Sequence, residues 1–410
     1  MTTPQSSSKG SAFGSPRAVS LVALVLAATF LHAQGVMAKT LVVTKGVNCY
    51  PQVTGTPYNT IQAAVDAMPI AILATNTVVV CAGTYPEQIK ITKNITITGV
   101  LRDGTDPVAM DGNSNEATIV PPAGGLVVDP NFLGNVAAQV SAQNITDLNL
   151  INIGIDGTGI GCPMGATGPM PTAGLALYNV GLVGTGHKAT ISRTVVHNQI
   201  GYCGTGRSYT GDGIVAENSW FTLDSNSLSN VDLNLVHQLG GVSKITSNFL
   251  NYGWHGILLS NVSETYGLTL TGSTISSNTL TTFSDGIHLD GSSHVLVSQN
   301  TIAGWSSAAI WVDNNSSDND IVSNKIIDAG YGIYLTNGSA RTNVKSNTII
   351  RSVLAAIVNA YSHGGNVITG NLINQSPIGI FGLNALPDDV VNPNTFYNTK
   401  VLTTSGSVLP

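Results

Sequence analysis

The residues best suited to chemistry in this sequence lie close together in a chain that is otherwise poor in charge. Only 9% of the residues are Asp, Glu, Lys or Arg. The segment SDGIHLDGSSH nevertheless places four titratable side chains within ten positions: Asp285, His288, Asp290 and His294. Carboxylates and imidazoles are the side chains that most often move protons near neutral pH. This segment is therefore the first candidate for a catalytic or ligand-binding site.

The elements that must position these residues follow from an internal repeat. An Asn, most often preceded by Ser, returns after 22, 30, 22, 24, 23 and 24 residues: Asn226, Asn248, Asn278, Asn300, Asn324, Asn347 and Asn371. Each repeat is a short apolar alternation interrupted by Gly, Asn and Ser, which is typical of strands and turns. A period in this range indicates a solenoid, whose units bury their apolar faces against one another. We predict an all-β fold, a single-stranded right-handed parallel β-helix with coils of about 22–24 residues.

Stacking these coils in register predicts a strip of side chains on one outward face. Most coils carry a small residue followed by Ile, and the residue after that Ile points outward because neighbours on a strand alternate. The first predicted column contains Leu258, His288, Trp311, Tyr334, Val358 and Phe381. The column beside it contains Ser260, Asp290, Asp313, Thr336, Ala360 and Leu383. Neighbouring coils lie about 4.8 Å apart, so we expect Asp290 and Asp313 to be close neighbours.

We predict two kinds of functional residue on this face. Two close carboxylates repel and can supply an acid beside a base, so the candidate catalytic residues are Asp285, His288, Asp290 and Asp313. Aromatic rings can stack on sugar rings, so the candidate substrate-binding residues are Trp254, His255, Trp311 and Tyr334. A purely structural role stays open, because Asp is a common turn former and isolated polar residues are frequent on strands.

A second, weaker group precedes this face. The segment GDGIVAE repeats the Asp-Gly-Ile of SDGIHLD, so Asp212 is expected at the coil position that Asp285 occupies later. Asp212 and Glu217 are candidate ligands for Ca²⁺, which prefers carboxylate and carbonyl oxygens. The number of ligands cannot be counted from a loop, so a calcium cofactor stays open. The scattered His187, His197 and His237 are predicted to be structural.

The N-terminal residues 1–38 have the pattern of a secretory signal peptide. Lys9 and Arg17 supply positive charge, residues 19–33 form an apolar run, and Val36-Met37-Ala38 fits a cleavage site. We expect a secreted or periplasmic protein whose mature chain has no membrane span, with an uncleaved anchor as the alternative. The net charge of −6 and the lack of a basic run argue against nucleic acid as a partner. We expect a monomer.

The four cysteines of the chain predict two disulfides in an exported protein. They are Cys49, Cys81, Cys162 and Cys203. Three pairings are compatible with the sequence, and we favour Cys49 with Cys81 and Cys162 with Cys203 because each pair flanks a neighbouring coil. No CxxC spacing is present, which argues against a zinc site.

The predicted β-helix covers residues 39–400 and carries a capping helix and two surface loops. Ile61, Ala64, Val65 and Met68 form one apolar helical face, which predicts a helix over 58–69 that covers the open first coil. Gly/Pro-rich excursions at 157–174 and 201–211 predict surface loops, which often line the binding face of a solenoid. Residues 401–410 are predicted to be a C-terminal tail.

One stretch of the sequence resembles a known family. YNTIQAAVDAMP, followed by VVVCAGTYPEQIKITKNITITGV, resembles the first helix and coil of the pectin-lyase-like superfamily, especially its pectin methylesterase branch. The resemblance covers about 45 residues and implies a right-handed parallel β-helix. The Gln-Asp pair and the Asp-Phe-Ile-Phe-Gly strand of pectin methylesterases do not occur here. We therefore predict that the chain is not a pectin methylesterase.

These observations predict an exported β-helix protein that binds an extracellular, uronate-type polysaccharide. The sequence leaves open whether it also cleaves that polymer, as a polysaccharide lyase or a glycoside hydrolase. The alternative is a non-catalytic structural, adhesive or cell-surface β-helix protein.

Overall fold

The structure is a computed structural model in which Lys39–Pro410 form one compact unit. The predicted signal peptide, Cys49 and Cys162 lie outside the residues that the structure describes. Those residues are 38–44, 57–70, 76–100, 116–132, 135–161, 163–164, 170–182, 184–200, 202–203, 206–207, 210–263, 272–304, 307–384, 386, 388–399 and 401–405.

Short strands dominate the described part of the chain, together with one helix, α1 (Ile61–Asp66). The first strands are β1 (Thr40–Val43), β2 (Thr77–Cys81), β3 (Gly83–Pro86), β4 (Ile89–Ile91), β5 (Ile95–Val100), β6 (Ala117–Val120), β7 (Ala137–Gln143), β8 (Leu148–Ile151), β9 (Ile153–Asp156), β10 (Thr172–Tyr178), β11 (Ala189–Ser192) and β12 (Val195–Gln199). The middle strands are β13 (Tyr202–Cys203), β14 (Gly206–Arg207), β15 (Gly211–Asp224), β16 (Ser227–Val231), β17 (Asn234–Thr246), β18 (Phe249–Ser260), β19 (Thr274–Ser276), β20 (Thr279–Asp290), β21 (Leu296–Ser298), β22 (Thr301–Ala303), β23 (Ala308–Asp313) and β24 (Asp320–Val322). The last strands are β25 (Lys325–Ile327), β26 (Tyr331–Leu335), β27 (Asn343–Lys345), β28 (Thr348–Ile350), β29 (Ala355–Ala360), β30 (Val367–Thr369), β31 (Leu372–Asn374), β32 (Ile378–Leu383), β33 (Val390–Val391), β34 (Thr395–Tyr397) and β35 (Val401–Ser405).

The strands stack as coils of a parallel β-helix. In the regular part, each coil contributes three short strands, and each strand pairs in parallel with the equivalent strand of the next coil. For example, β23, β24 and β25 pair with β26, β27 and β28. The strands β13 and β14 stand apart as a small antiparallel hairpin. The stacked arrangement confirms the predicted parallel β-helix.

The core is a set of stacked aliphatic residues along the axis of the solenoid. Ile257, Ile287, Ile310 and Ile333 are register partners on successive coils, and each is fully buried. Burying one such side chain contributes about 1.5–3 kcal/mol, so an array of coils gains a large core without a second layer. The residues between the inward ones point away from this core, as the alternation predicts.

A ladder of buried asparagine side chains fixes one turn of every coil. Asn324 accepts hydrogen bonds from the backbone N and the Nδ2 of Asn300, both at 3.0 Å. Its own Nδ2 donates to the carbonyl of Val297 at 2.9 Å and to Oδ1 of Asn347 at 3.0 Å. The residue before it, Ser323, has a positive φ of 57°. This left-handed step turns the chain, and it recurs before the other ladder asparagines, which explains the repeated Ser-Asn.

The helix α1 covers the first coils, as predicted, but it is shorter than the predicted span 58–69. Tyr58 forms a parallel bridge to Val43 and so belongs to the sheet edge. Thr60 is the N-cap, and its hydroxyl accepts from the backbone N of Ala63. Glu87 accepts from the backbone N of Ile61 and Gln62, each at 3.0 Å. In the described part of the chain, no helix is long and apolar enough to span a membrane.

Two predicted boundaries differ from the structure. The sheet continues into the predicted tail 401–410, because β35 pairs in parallel with β32 through the backbone and needs no apolar alternation to do so. Strand β10 begins at Thr172, inside the predicted loop 157–174, because Thr172 and Ala173 pair with Gly211 and Asp212.

The structure describes only two of the four cysteines in the predicted disulfides, Cys81 and Cys203. Cys81 is buried and disulfide-bonded. Cys203 lies in β13, and its side chain is outside the described part. The pairings Cys49–Cys81 and Cys162–Cys203 therefore stay predictions.

The asparagine ladder predicts a large loss of stability from a single amide. Asn324→Ala leaves the donors of Asn300 and the carbonyl of Val297 buried without their partner, so we expect the free energy of unfolding to fall by about 3 kcal/mol or more. Urea unfolding followed by circular dichroism measures this change. The control is Asn343→Ala on the next coil, whose amide makes an exposed hydrogen bond to Asp320 at 2.7 Å and should matter little. Equal losses in the two variants would contradict the structural role of the ladder.

Candidate functional site

Sheet register brings most of the predicted site residues together. Leu258, His288, Trp311 and Tyr334 are successive partners, and we call this series the His288 column. Asp290 pairs with Asp313 in the neighbouring column, as predicted. The elements responsible are β18, β20, β23 and β26, which hold these residues at one position on each coil because the ladder fixes where every coil starts.

The His288 column is a stack of rings. The imidazole of His288 and the indole of Trp311 lie 4.5 Å apart between centroids with planes 5° apart. Trp311 and Tyr334 continue the stack at 6.1 Å, and Tyr331 lies 5.1 Å from Tyr334. On the other side, the ring of His255 is 5.7 Å from that of His288. Such offset and stacked arrangements are favourable for aromatic rings and hold each ring in one orientation.

His288 forms a close pair with a carboxylate on the next coil. Its Nε2 lies 3.0 Å from Oδ1 of Asp313, and both side chains are 13% exposed. A carboxylate only accepts, so Nε2 is the protonated nitrogen in the neutral ring. The Nδ1 atom is buried and makes no hydrogen bond in the described structure. A histidine oriented through one nitrogen by a carboxylate, with a lone pair left on the other, is the arrangement of a general base.

A second hydrogen-bonded series joins residues that are register partners on successive coils, among them Asn234, His255 and Asp285. Asp212 Oδ1 accepts from the backbone N of Asn234 at 3.0 Å and from its Nδ2 at 2.8 Å. Because Nδ2 of Asn234 points to Asp212, the other amide atom, Oδ1, faces His255 and lies 2.8 Å from its Nδ1. The Nε2 of His255 lies 3.4 Å from Oδ2 of Asp285. Both nitrogens of His255 thus face acceptors, and its ring is held from two sides.

Asp285 is buried at the end of this series and remains charged. Burial by itself would raise the pKa of Asp285, but hydrogen bonds from His255, from the hydroxyl of Ser307 and from the backbone N of Ala308 hold it below its usual range. An acid with a lowered pKa is a poor proton donor at neutral pH. The candidate role of Asp285 is therefore to orient His255.

The other predicted residues take different places. Asp290 lies beside Asp313 in register, and its Oδ1 accepts from Nδ2 of Asn314 at 2.8 Å. Trp254 precedes His255 on β18 and is 53% exposed, so its ring is available at the surface. Tyr252 on the same strand is exposed as well. His294 lies at a turn with a positive φ of 58°, away from the paired strands of the His288 column.

Sequence reasoning missed two members of the site, Asn234 and His237. His237 was expected to be structural and scattered, but it pairs with Leu258 and so belongs to the His288 column. Its Nδ1 lies 3.7 Å from Oδ2 of Asp212. The coil that carries both residues lacks the small residue and Ile that mark later coils, and counting the register back from Leu258 would have found them.

Asp212 occupies the register position that the sequence predicted, but its carboxylate is not arranged for calcium. Its Oδ1 is used by Asn234, and Glu217 lies five residues further along β15, about 16 Å away for an extended strand. Among the described residues, no group of three or more His, Cys, Asp or Glu side chains is placed to hold a metal ion. The structure therefore does not bring the carboxylates of Asp212 and Glu217 together, and a calcium site at either residue stays a prediction.

Comparisons with known proteins identify the fold. The family described as "Right handed beta helix region" matches residues 212–373, the part of the chain that contains the site. No curated protein sequence matches the chain.

Solved structures with similar architecture include three proteins of different kinds. The A-module of mannuronan C-5 epimerase AlgE4 from Azotobacter vinelandii has a TM-score of 0.52 and 14% identity, covering 85% of this chain and 93% of that one. DFA-IIIase from Arthrobacter chlorophenolicus A6, in complex with GF2, has a TM-score of 0.53 and 12% identity, covering 85% and 92%. The Dettilon tailspike protein has a TM-score of 0.53 and 14% identity, covering 78% and 62%. The chain has the right-handed parallel β-helix of the pectin-lyase-like fold.

The lowered pKa of Asp285 predicts how stability depends on pH. Ionised Asp285 stabilises the fold fully above the unfolded pKa of about 3.9, and this contribution is lost as pH falls through the lower pKa of the folded state. Asp285→Asn cannot titrate, so it should be less stable than the wild type near neutral pH. The difference should shrink below about pH 4.

Urea unfolding of both proteins at a series of pH values measures this difference. Asp320→Asn serves as the control, because it removes one negative charge from an exposed position. A difference between wild type and Asp285→Asn that stays constant with pH would exclude the charged state of Asp285.

Proposed function

We propose that this protein is exported, binds a uronate-type polysaccharide along the His288 column and abstracts a proton from a sugar residue with His288. The observation that carries the proposal is the His288–Asp313 pair, with Nε2 of the ring 3.0 Å from the carboxylate and Nδ1 uncommitted. His288 lies in a stack of aromatic rings with Trp311 and Tyr334. The proposed base and the proposed sugar-binding surface are therefore adjacent.

The binding part of the proposal rests on the exposed and stacked rings. Trp254 offers an exposed indole face, and Trp311 and Tyr334 form the floor next to His288. The apolar face of a sugar ring packs on an aromatic ring, while polar groups around it receive the hydroxyls. Asp290 and Asn314 supply such polar groups beside the column. The named activity of one similar structure, a mannuronan C-5 epimerase, supports a polyuronate as the ligand.

The chemistry of the site favours proton abstraction over hydrolysis by two carboxylates. A glycoside hydrolase of the common type needs one carboxyl that stays protonated as an acid. Asp285 has a lowered pKa, Asp313 faces His288, and Asp290 accepts from Asn314. Each of these carboxylates is therefore an acceptor of hydrogen bonds. An imidazole oriented by a carboxylate is suited to removing the proton from the carbon next to a uronate carboxyl group.

The proposed step begins at C5 of the uronate. Binding of the polymer must first expose Nδ1 of His288, which is buried in the free protein. The C5–H bond then breaks, its proton moves to Nδ1, and its electron pair passes into the adjoining carboxyl group. When that pair returns and expels the glycosidic oxygen at C4, which takes a proton from solvent, the chain is cleaved with a new C4–C5 double bond. When C5 instead takes a proton from solvent on the opposite face, and His288 later releases its proton to solvent, the residue is epimerised. Both outcomes use the same base.

Replacing His288 should abolish turnover without removing the binding surface. We expect His288→Ala to lower kcat about 10²- to 10⁴-fold, the usual contribution of a general base, on the polymer that is turned over. The assay measures absorbance of the new double bond and exchange of the C5 hydrogen, on pectate, alginate and a neutral glucan, with and without Ca²⁺. His187→Ala is the control, because His187 lies between β10 and β11 and pairs with Asp147 at 2.9 Å, which is not a residue of the His288 column.

Different results separate the two parts of the proposal. Unchanged turnover in His288→Ala would remove His288 as the base. Binding of a polymer without any turnover by the wild type would favour the non-catalytic alternative, in which the β-helix only binds.

The exposed indole of Trp254 predicts a loss of affinity alone. Trp254→Ala should weaken binding of the polymer up to about tenfold, about 1.4 kcal/mol, because a stacking surface is lost. Tyr397→Ala is a matched control, since Tyr397 is 57% exposed on β34, six coils further along the solenoid than the strand of Trp254. Titration calorimetry compares the two variants with the wild type. Equal affinities in all three proteins would remove Trp254 from the binding surface.

A further inference from the structure

The outward face that carries the site is covered over its first coils. Following the His288 column toward the N-terminus leads through Leu258 and His237 to Val215, Ala176 and Ser141. Val215 and Ala176 point away from the core of the solenoid, yet Ala176 is fully buried and Val215 is 3% exposed. At Ala176 and Val215 the cover includes a segment from outside the paired strands, because Phe132 and Val136 belong to the same apolar cluster.

The covering part is a segment that we call the strap, residues 126–132. Phe132 packs with Val136 on Ala173, Ala176 and Val215. Its ring lies 5.5 Å from that of Tyr178, at an interplanar angle of 57°. Upstream, Leu126 and Val128 pack with Ala137 and Ile160. The strap therefore has an apolar underside that fits the first coils of the outward face.

Polar side chains of the first coils hold the strap in place. Gln88 Oε1 accepts from the backbone N of Val127 at 2.8 Å. Its Nε2 donates to the carbonyls of Val127 at 2.8 Å and Ala138 at 2.9 Å. The Nζ of Lys90 lies 3.0 Å from Oδ2 of Asp129, which also accepts from Gln143. These contacts hold the strap at residues 127 and 129.

The strap ends where the polar part of the face begins. Val215 is the last residue along the extended His288 column that belongs to the apolar cluster of Phe132. The next residue in register is His237, followed by Leu258 and His288. In the other direction the column continues through Tyr334 to Val358 and Phe381. Val358 is 3% exposed there, but the residues that pack with it belong to the stacked strands of the face itself. Among the described residues, no segment comparable to the strap is held over that end. The outward face is thus covered by the strap at its N-terminal end, and it continues toward the C-terminus.

We propose that the strap closes one end of the groove, so that the site takes the terminus of a polysaccharide chain and not an internal stretch. The inference rests on the proposed function, because it concerns how the same polymer enters. A chain that lay along the His288 column and continued past His237 would have to pass through the space filled by Phe132 and Tyr178. A chain end can stop there, with its last residue beside His237.

The number of binding sites per polymer chain tests this inference without requiring turnover. Polymannuronate fractions of short, medium and long mean length are titrated into His288→Ala by calorimetry, so that the polymer stays intact. We expect one protein bound per chain at every length, because the number of ends does not change. Binding that increases in proportion to chain length would overturn the inference. No binding of any fraction, pectate and glucan included, by this variant and by the wild type would instead overturn the proposed function.

Releasing the strap should open the groove to internal stretches. The double substitution Gln88→Ala and Lys90→Ala, made in the same His288→Ala protein, removes the hydrogen bonds and the ion pair that hold residues 127 and 129. We expect more than one protein per long chain for this variant. Arg351→Ala is the control, because it removes an exposed ion pair to Asp328 at 2.7 Å that lies far along the chain from the strap.

The results for the double variant with Gln88→Ala and Lys90→Ala are interpreted as follows. A folded double variant that still binds one protein per long chain would show that the strap does not set the end of the groove. If the variant does not fold, the length dependence of the parent protein decides the inference by itself.

Discussion

The vertical hydrogen bond between ladder asparagines is the constraint on which the other features depend. Each ladder amide from Asn226 to Asn371 is buried and is bonded to the coil before it and the coil after it, as Asn324 is to Asn300 and Asn347. An amide can satisfy both neighbours only if every coil starts at the same angle around the axis. The left-handed residue that precedes each Asn makes the turn that this angle requires. Because of the ladder, residues that are one repeat apart in the sequence lie next to each other on successive coils.

That register explains why residues far apart in the sequence meet in the site. Asp212, Asn234, His255 and Asp285 are separated by 22, 21 and 30 residues, yet they form one hydrogen-bonded series. The longest interval includes residues 264–271, which lie outside the described part, and the register on either side of it is unchanged. Buried polar groups are tolerated here because each one finds its partner on the adjoining coil.

The sequence predicted the fold and the columns better than it predicted the contacts. Alternation along a strand and a regular period are enough to place Leu258, His288, Trp311 and Tyr334 in line. They do not say that His288 reaches diagonally to Asp313, since that contact depends on side-chain rotamers. Asn234 and His237 were missed because their coil lacks the marker of the others. Strand β35 was missed because backbone pairing requires no particular side-chain pattern.

The ladder also determines where local unfolding of the solenoid begins. A coil in the middle is held by amide bonds on two sides, whereas the last ladder residue, Asn394, is linked to the ladder through Asn371 alone. Units that interact only with their nearest neighbours open from the ends inward. We therefore expect amide hydrogen exchange to be slowest in the coils around Asn300 and Asn324 and to quicken toward the C-terminus. The coils of the site lie next to this protected centre, so their rings keep one arrangement while the ends of the solenoid open and close.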